Sequence, residues 1–411
     1  PMYRIQKALP LALLLSLTLG ATAQQKQIDI RELDGKDINS SGYRNLIYTA
    51  VPLLSIAPDS RAAAMGDAGV ASTPDVNSQH WNIAKYALIP TKFGVSLSYI
   101  PWLRKLTNEI NLAYLAGYYR IDKMQSVSAS LRYFSMGQMV FTNEQGIRMQ
   151  THNPNEFAFD VGYSRKFLPN FSGGLGFRII RSDLTGGFSN QNSVGTNKAG
   201  MSYAADLGIY YQHPLKLQRM PAEWAVGLSI TNIGSKLTYN DVVKNFIPIT
   251  LRIGGRFSLN VDQYNTISGL LDLSKLLVPT PPIYNAKHEI TKGKDPDVAV
   301  VTGMVQSFYD APGGAAEEFH EVYLATGFEY LYQKLFALRA GYYYEHPSKG
   351  GRTYFTLGAG VAYNVFSLDA AYLLPTAGFN SPIANTMRFS LMVNFEQQNK
   401  KGKRAKQEQG M

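Results

Sequence analysis

Side chains able to do chemistry are present in the chain, but their spacing does not assemble them. The six histidines, His80, His152, His213, His288, His320 and His346, are scattered, with no pair four residues apart and no metal-ligand spacing. No G-x-S-x-G segment offers a nucleophile elbow. Residues 173–176 (GGLG) lie inside a strand-like stretch with no helix after them, so they read as room for a packed neighbour rather than a phosphate cradle. Asp160, Asp206 and Asp369 have the chemistry for a proton-sharing pair. Neighbouring arginines such as Arg178 and Arg339 make ion pairing the simpler role. A hydrolase of membrane lipid needs a Ser/His pair at the lipid boundary, and none can be located. These residues therefore predict neither an enzyme nor a metal or cofactor site.

The elements that would position them are strands. Strand-like segments fall near 93–100, 110–120, 124–136, 156–167, 171–184, 201–213, 223–233, 247–259, 264–274, 318–331, 334–346, 351–363, 365–374 and 384–395. Most are about ten residues or longer, which suits a strand crossing a bilayer better than a soluble strand of five or six. Their faces alternate. Trp224, Val226, Leu228 and Ile230 oppose Glu223, Ala225, Gly227 and Ser229. Val127, Ala129, Leu131 and Tyr133 oppose Ser126, Ser128, Ser130 and Arg132. Ile247, Ile249, Leu251 and Ile253 form another apolar face. Residues 385–395 (NTMRFSLMVNF) alternate in the same way and are expected to seal against 93–100.

Opposite faces carry mixed charges, including Asp160, Arg178, Asp206, Arg352 and Arg388, as a wet lumen allows. Connections alternate between long ones (137–155, 185–200, 234–246, 275–317, 375–383) and short ones (120–124, 168–171, 260–263, 332–334, 363–365). That asymmetry is expected of an outer-membrane barrel. Residues 213–222 (HPLKLQRMPA) are too long for the short side. Tyrosine clusters at strand ends (118–119, 210–211, 342–344) read as interface girdles. The expected fold is all-β: a transmembrane antiparallel barrel of about fourteen strands spanning 93–395.

Composition agrees without deciding. Apolar residues make up 45% of the 411, and no run after the first few dozen is long enough for a membrane helix. Arg4 and Lys7 precede an apolar stretch at 8–20 and Ala21-Thr22-Ala23, which predicts a signal peptide over 1–23. There are no cysteines, hence no lipoprotein anchor and no disulfides. The formal charge of +10 is fed partly by a basic tail at 396–411 that reads as solvated, and export makes nucleic acid an unsuitable partner.

Residues 24–92 do not read as strands and are expected to form an arm and a plug, or hatch, in the lumen, with a periplasmic arm as the alternative. Asp59 or Ser60 is a candidate cap for a turn at 62–65, and Asp75 for one before Trp81. Gly66 and Gly69 suit a tight turn or a close approach. The words Ala57-Pro58-Asp59-Ser60-Arg61, Met65-Gly66-Asp67-Ala68-Gly69-Val70 and His80-Trp81-Asn82 resemble the hatch of the PorV family. PorV is the outer-membrane barrel of the Bacteroidetes type IX secretion system, within the FadL-like group of fourteen-strand barrels. The resemblance spans the mature chain. It departs at Asn82-Ile83-Ala84, where relatives carry Asn-Pro-Ala. Met65, Gly66, Asp67, Trp81 and Asn82 are assigned to packing of the hatch.

The resemblance implies an outer-membrane location among lipid and association with the SprA/Sov translocon barrel. It further implies capture of the C-terminal signal domain of emerging cargo and delivery to the PorU sortase with PorQ and PorZ. The long loop near 275–317 is the expected contact surface, through Leu276, Leu277, Val278, Met304, Phe308 and Tyr309, since apolar loop surface calls for a partner. Equally, that loop could fold over the barrel mouth as a lid. A second possibility is a FadL-like channel for hydrophobic compounds, with an apolar pocket against the hatch.

Overall fold

Residues 387–395 show how the alternation resolves. Met387, Phe389, Leu391 and Phe395 point away from the molecule and are exposed, while Arg388, Ser390 and Met392 point inward and are buried. The same division repeats along fourteen antiparallel strands that close into a barrel. The structure is a computed structural model and describes residues 44–102, 109–143, 146–188, 197–240, 242–376 and 386–395. The expected signal peptide (1–23), the first part of the arm (24–43) and the basic tail (396–411) lie outside the described residues.

The strands are β1 (Phe93–Pro101), β2 (Ile110–Arg120), β3 (Gln125–Met136), β4 (Asn155–Leu168), β5 (Phe171–Asp183), β6 (Gly200–Leu217) and β7 (Met220–Gly234). Then follow β8 (Thr250–Asn260), β9 (Asn265–Leu276), β10 (Val322–Tyr332), β11 (Phe336–Tyr344), β12 (Thr353–Tyr363), β13 (Phe366–Pro375) and β14 (Met387–Phe395). Each pairs with its chain neighbours. The last closes on the first as expected, with Phe93 opposite Phe395 and Tyr99 opposite Phe389. Hydrocarbon offers unpaired backbone groups no partner, so closure is what makes an apolar exterior tenable.

Short turns and long loops occupy opposite ends. Two of the turns share one device. Asp122 Oδ1 accepts from the Met124 and Gln125 amides (2.6 and 2.9 Å), and Asp262 Oδ1 from the Tyr264 and Asn265 amides (2.7 and 2.8 Å). Residues 213–222 are not a loop. β6 and β7 continue to a turn at 218–219, with Gln218 at φ 57°, and form a hairpin longer than its neighbours. The strands include Pro214 and Pro221, and proline is tolerated where no neighbouring strand needs its missing N–H.

Three other expectations shift. Ile247 and Ile249 precede β8 and are fully buried in a cluster with Val51, Leu53 and Phe246, so they do not extend the lipid-facing row. Tyr118 and Tyr210 point into the lumen, and only their neighbours Tyr119 and Tyr211 face outward. Arg352 stands just before β12 and binds Glu345 (2.7 Å). The long loops also carry structure of their own: a two-stranded flap (Met139–Thr142 with Arg148–His152) and the helices Val300–Gln306 and Ala315–His320.

Candidate functional site

Residues 57–89 run through the space that the strands enclose. Asp59 starts this segment: Oδ1 accepts from the Ala62 amide (2.9 Å) and caps the Ser60–Ala63 turn, while Oδ2 accepts from Trp81 Nε1 (2.7 Å). One carboxylate thus joins two short helices. The second, Ser78–Trp81, has Asn77 at its cap. Asp75 supports it from outside by accepting from the Asn77 amide (3.0 Å). Gly66 (φ 69°) and Asp67 (φ 63°) are consecutive left-handed residues that turn the chain back, which glycine permits without strain.

The five residues assigned to the hatch all meet the wall or hold the turn. Met65 is buried against Gly327 and Gly341, and the Gly66 amide donates to Thr356 Oγ1 (2.8 Å). Asp67 accepts from the Tyr354 hydroxyl (2.6 Å) and from Arg388 Nη1 (3.1 Å). Trp81 packs against Gly69, where a Cβ would sit 2.3 Å from the indole. Asn82 Nδ2 donates to Ile209 O (2.8 Å), and its Oδ1 accepts from the Ala84 amide (3.1 Å). Contacts continue around the barrel: Ser60 N to Ser390, Gly69 and Val70 N to Asp272, Ser172 to Ala84 O, Ser229 to Trp81 O. In the GGLG stretch, a Cβ on Gly174 would lie 2.6 Å from Ile83, so the glycine does make room for this segment.

Several charges inside the barrel form ion-pair networks, while Arg252 donates to Thr231 (3.0 Å) and Lys85 to Gly69 O and Ser72 (both 2.8 Å) instead. Arg178 bridges Asp160 and Asp206 (Nη2–Oδ2 2.8 Å to Asp206) and also meets Asn232. Arg339 bridges Glu329 (2.7 Å) and Asp369 (2.6 Å). Arg61 of the inner segment completes the second network through Glu329 and Asp75, both at 2.9 Å. The expected ion-pairing role of the mid-strand carboxylates is what the geometry shows. A cavity of about 180 Å³ beside this network is lined by Arg61, Asp75, Glu329, Arg339 and Asp369 together with apolar wall residues.

At the long-loop end the order is reversed. Of the six residues expected to meet a partner, Leu277 and Val278 are buried (3% and 2% exposed) in the cluster that covers the barrel mouth, and Met304 packs against it. Leu276, the last residue of β9, is half-buried. Only Phe308 (51% exposed) and Tyr309 (55%) face outward. Val301 (70%) and Val305 (57%) join them from the Val300–Gln306 helix, one turn apart on one side. Their i, i+4 spacing is the signal of this face in the sequence.

The ridge stands on a buried polar base. Lys275 binds Glu318 (3.0 Å) and Glu321 (2.5 Å), Lys349 binds Glu317 (2.6 Å) and Glu321 (2.9 Å), and Asn45 donates to Glu317 (3.0 Å). Asp310 accepts from the Thr280 amide (3.1 Å). Burial pushes its carboxyl up to about 6, and Glu318 and Glu321 add to the rise. Among the described residues no group of three or more His, Cys, Asp or Glu is placed to hold a metal.

The family described as "Type IX secretion system protein PorV" matches residues 39–283. No curated protein matches. Solved structures that are similar include the Pseudomonas putida toluene transporter TodX, at 12% identity and TM-score 0.48, covering 82% of this chain and 99% of that one. The Ralstonia pickettii toluene transporter TbuX aligns at 10% identity and TM-score 0.45, over 82% and 98%. A Pseudomonas aeruginosa FadL homologue aligns at 10% and 0.42, over 86% and 99%. With the family match covering more than half of its length, this outer-membrane barrel belongs to the PorV family of type IX secretion system proteins.

Proposed function

We propose that the barrel is a non-enzymatic carrier in type IX secretion, working from its loops rather than through its lumen. It accepts the C-terminal signal domain of cargo at the SprA/Sov translocon barrel and moves it laterally to the PorU sortase, with PorQ and PorZ. The observation that carries this reading is the ridge of Val301, Val305, Phe308 and Tyr309, exposed on a loop whose base is ion-paired and buried. Exposed apolar surface outside the bilayer favours a partner, and a base already ordered loses little entropy on docking. Residues 57–89 serve as the plug, since they hydrogen-bond to strands around the barrel.

The FadL-like alternative expects an apolar pocket against the plug. The cavity there mixes apolar wall residues such as Leu331, Phe336 and Val361 with Arg61, Asp75, Glu329, Arg339 and Asp369, so a hydrocarbon in it would lie against charge. A photo-crosslinking residue placed at Phe308 in living cells tests the carrier reading. It should capture the cargo signal domain, whereas the same probe at Leu217, on the opposite end of the barrel, should not. Capture at neither position, with secretion intact, would refute it.

A further inference from the structure

The short-turn end, periplasmic by the loop-length rule, carries a charge excess that neither the ridge nor the lumen uses. Lys92 precedes β1, Arg120 ends β2, Lys123 follows in the turn, and Arg165 and Lys166 lie near the end of β4. Backbone bonds gather them: Arg120 N to Lys92 O (2.8 Å), Lys166 N to Met124 O (2.7 Å), with Gln125 opposite Arg165. Asp122 stands among these cations, but its oxygens accept from the Met124 and Gln125 amides and from Gln125 Nε2 (2.8 Å). Arg120 is engaged by the Asp122 and Pro90 carbonyls (2.9 and 2.7 Å). Lys92 Nζ makes one hydrogen bond, to Ile121 O (3.1 Å), and lies 4.7 Å from the Tyr119 ring centre, which leaves it donors to spare. Lys123 and Arg165 are exposed.

A cavity of about 320 Å³ lies here, lined by Pro90, Lys92, Arg120, Ile121, Asp122 and Lys123. Its depth in the membrane follows from its neighbours. Arg165 shares the outward face of β4 with Val161, Tyr163 and Phe167, all exposed, and Tyr119 is exposed beside Lys92. Outward aromatics at strand ends sit at headgroup level, so these cations stand where headgroup phosphates run.

We propose that this arc binds the phosphate of a phospholipid in the periplasmic leaflet. Lys92, Lys123 and Arg165 reach the phosphate, and Tyr119 and Phe167 lie along the upper acyl chains. The charge that binds is the phosphate's own. The apolar belt directly beside the pocket favours a lipid over free phosphate as its source.

The full barrel in detergent, given phosphatidylglycerol as the probe, tests this by counting retained lipid with native mass spectrometry. Lys92→Gln/Lys123→Gln/Arg165→Gln should lower retention on the order of a hundredfold, since each basic group near an anionic headgroup is worth roughly fivefold. Lys244→Gln/Lys287→Gln/Lys292→Gln, which removes equal charge from the other end, should leave it unchanged. The charge-conserving Lys92→Arg/Lys123→Arg/Arg165→Lys should retain lipid, which separates lost charge from lost folding. Equal losses in both neutralised variants, or none in the first, would overturn the site. Displacement by inorganic phosphate or chain-free glycerophosphoglycerol at the lipid's own concentration would assign the pocket to free phosphate and overturn the lipid. Capture of an acidic protein segment in place of lipid would do the same.

Discussion

The inner segment at 57–89 and the outer loop at 277–321 invert each other. Inside, Arg178 and Arg339 are buried and Arg61 is half-buried, and each is answered by carboxylates within 3 Å or close to it. Outside, the ion pairs lie at the base and the apolar side chains are on show. A region tied to its own wall by ion pairs and hydrogen bonds is built to stay shut. A region that leaves apolar surface unspent is built to meet something else. The difference separates the part bound to its own wall from the part we propose to act.

The largest expected effect is at Glu329, which holds Arg61 and Arg339 together. Glu329→Ala leaves Arg61 with Asp75 and Arg339 with Asp369 as their remaining carboxylates and should cost about 2–4 kcal/mol, read as denaturant unfolding in detergent. A cost near that of a surface change would mean the network is wet and loose, and the contrast would fail. Next is Gly341, where a Cβ would lie 2.1 Å from the Gly66 amide nitrogen. Gly341→Val should destabilise by about 1–3 kcal/mol through overpacking and lift the inner segment, giving conductance steps in planar bilayers where the parent is quiet. Unchanged conductance would argue that the segment is not what seals the lumen.

A smaller effect belongs to Asp310. Its carboxyl is raised to about 6 against an ordinary value of 3.8, so the folded loop favours the protonated form. That contribution is complete below the ordinary value and is lost as pH rises through about 6. Amide exchange at Thr280, corrected for intrinsic rate, should therefore be slower at pH 5 than at pH 7.5, and Asp310→Asn should remove the difference. Smallest in stability are the ridge substitutions. Val301→Ser, Val305→Ser, Phe308→Ser and Tyr309→Ser should each stay within about 0.5 kcal/mol of the parent. A larger loss would show that the ridge packs on its own barrel, and it would then be no docking surface.

Much of the barrel was legible because lipid outside and polar groups inside impose a period of two, as at Met387, Phe389 and Leu391. The closing pair, 384–395 on 93–100, followed from the need to leave no edge. The alternation ends where the membrane ends. Ile247 and Ile249 keep the period yet fold over the mouth, because beyond the bilayer an apolar side chain can turn either way. Leu277 and Val278 read as a partner surface for the same reason, yet they are core. Residues 213–222 read as a connection because nothing local reports how far a hairpin runs beyond its neighbouring strands. In the hatch, Gly66 and Asp59 were legible as a turn and a cap. The wall residues facing them, Thr356, Asp272 and Gly341, are far away in sequence and had no local signature.

The most direct test crosses the two regions. Tagged barrels carrying either the four ridge serines or Glu329→Ala are purified from cells secreting cargo, and both co-purified cargo and unfolding temperature are measured on each. The ridge variant should lose cargo with its unfolding temperature kept, and the Glu329 variant should keep cargo with its unfolding temperature lowered. Cargo retained by the ridge variant and lost from the Glu329 variant would place the working surface in the lumen and contradict the account.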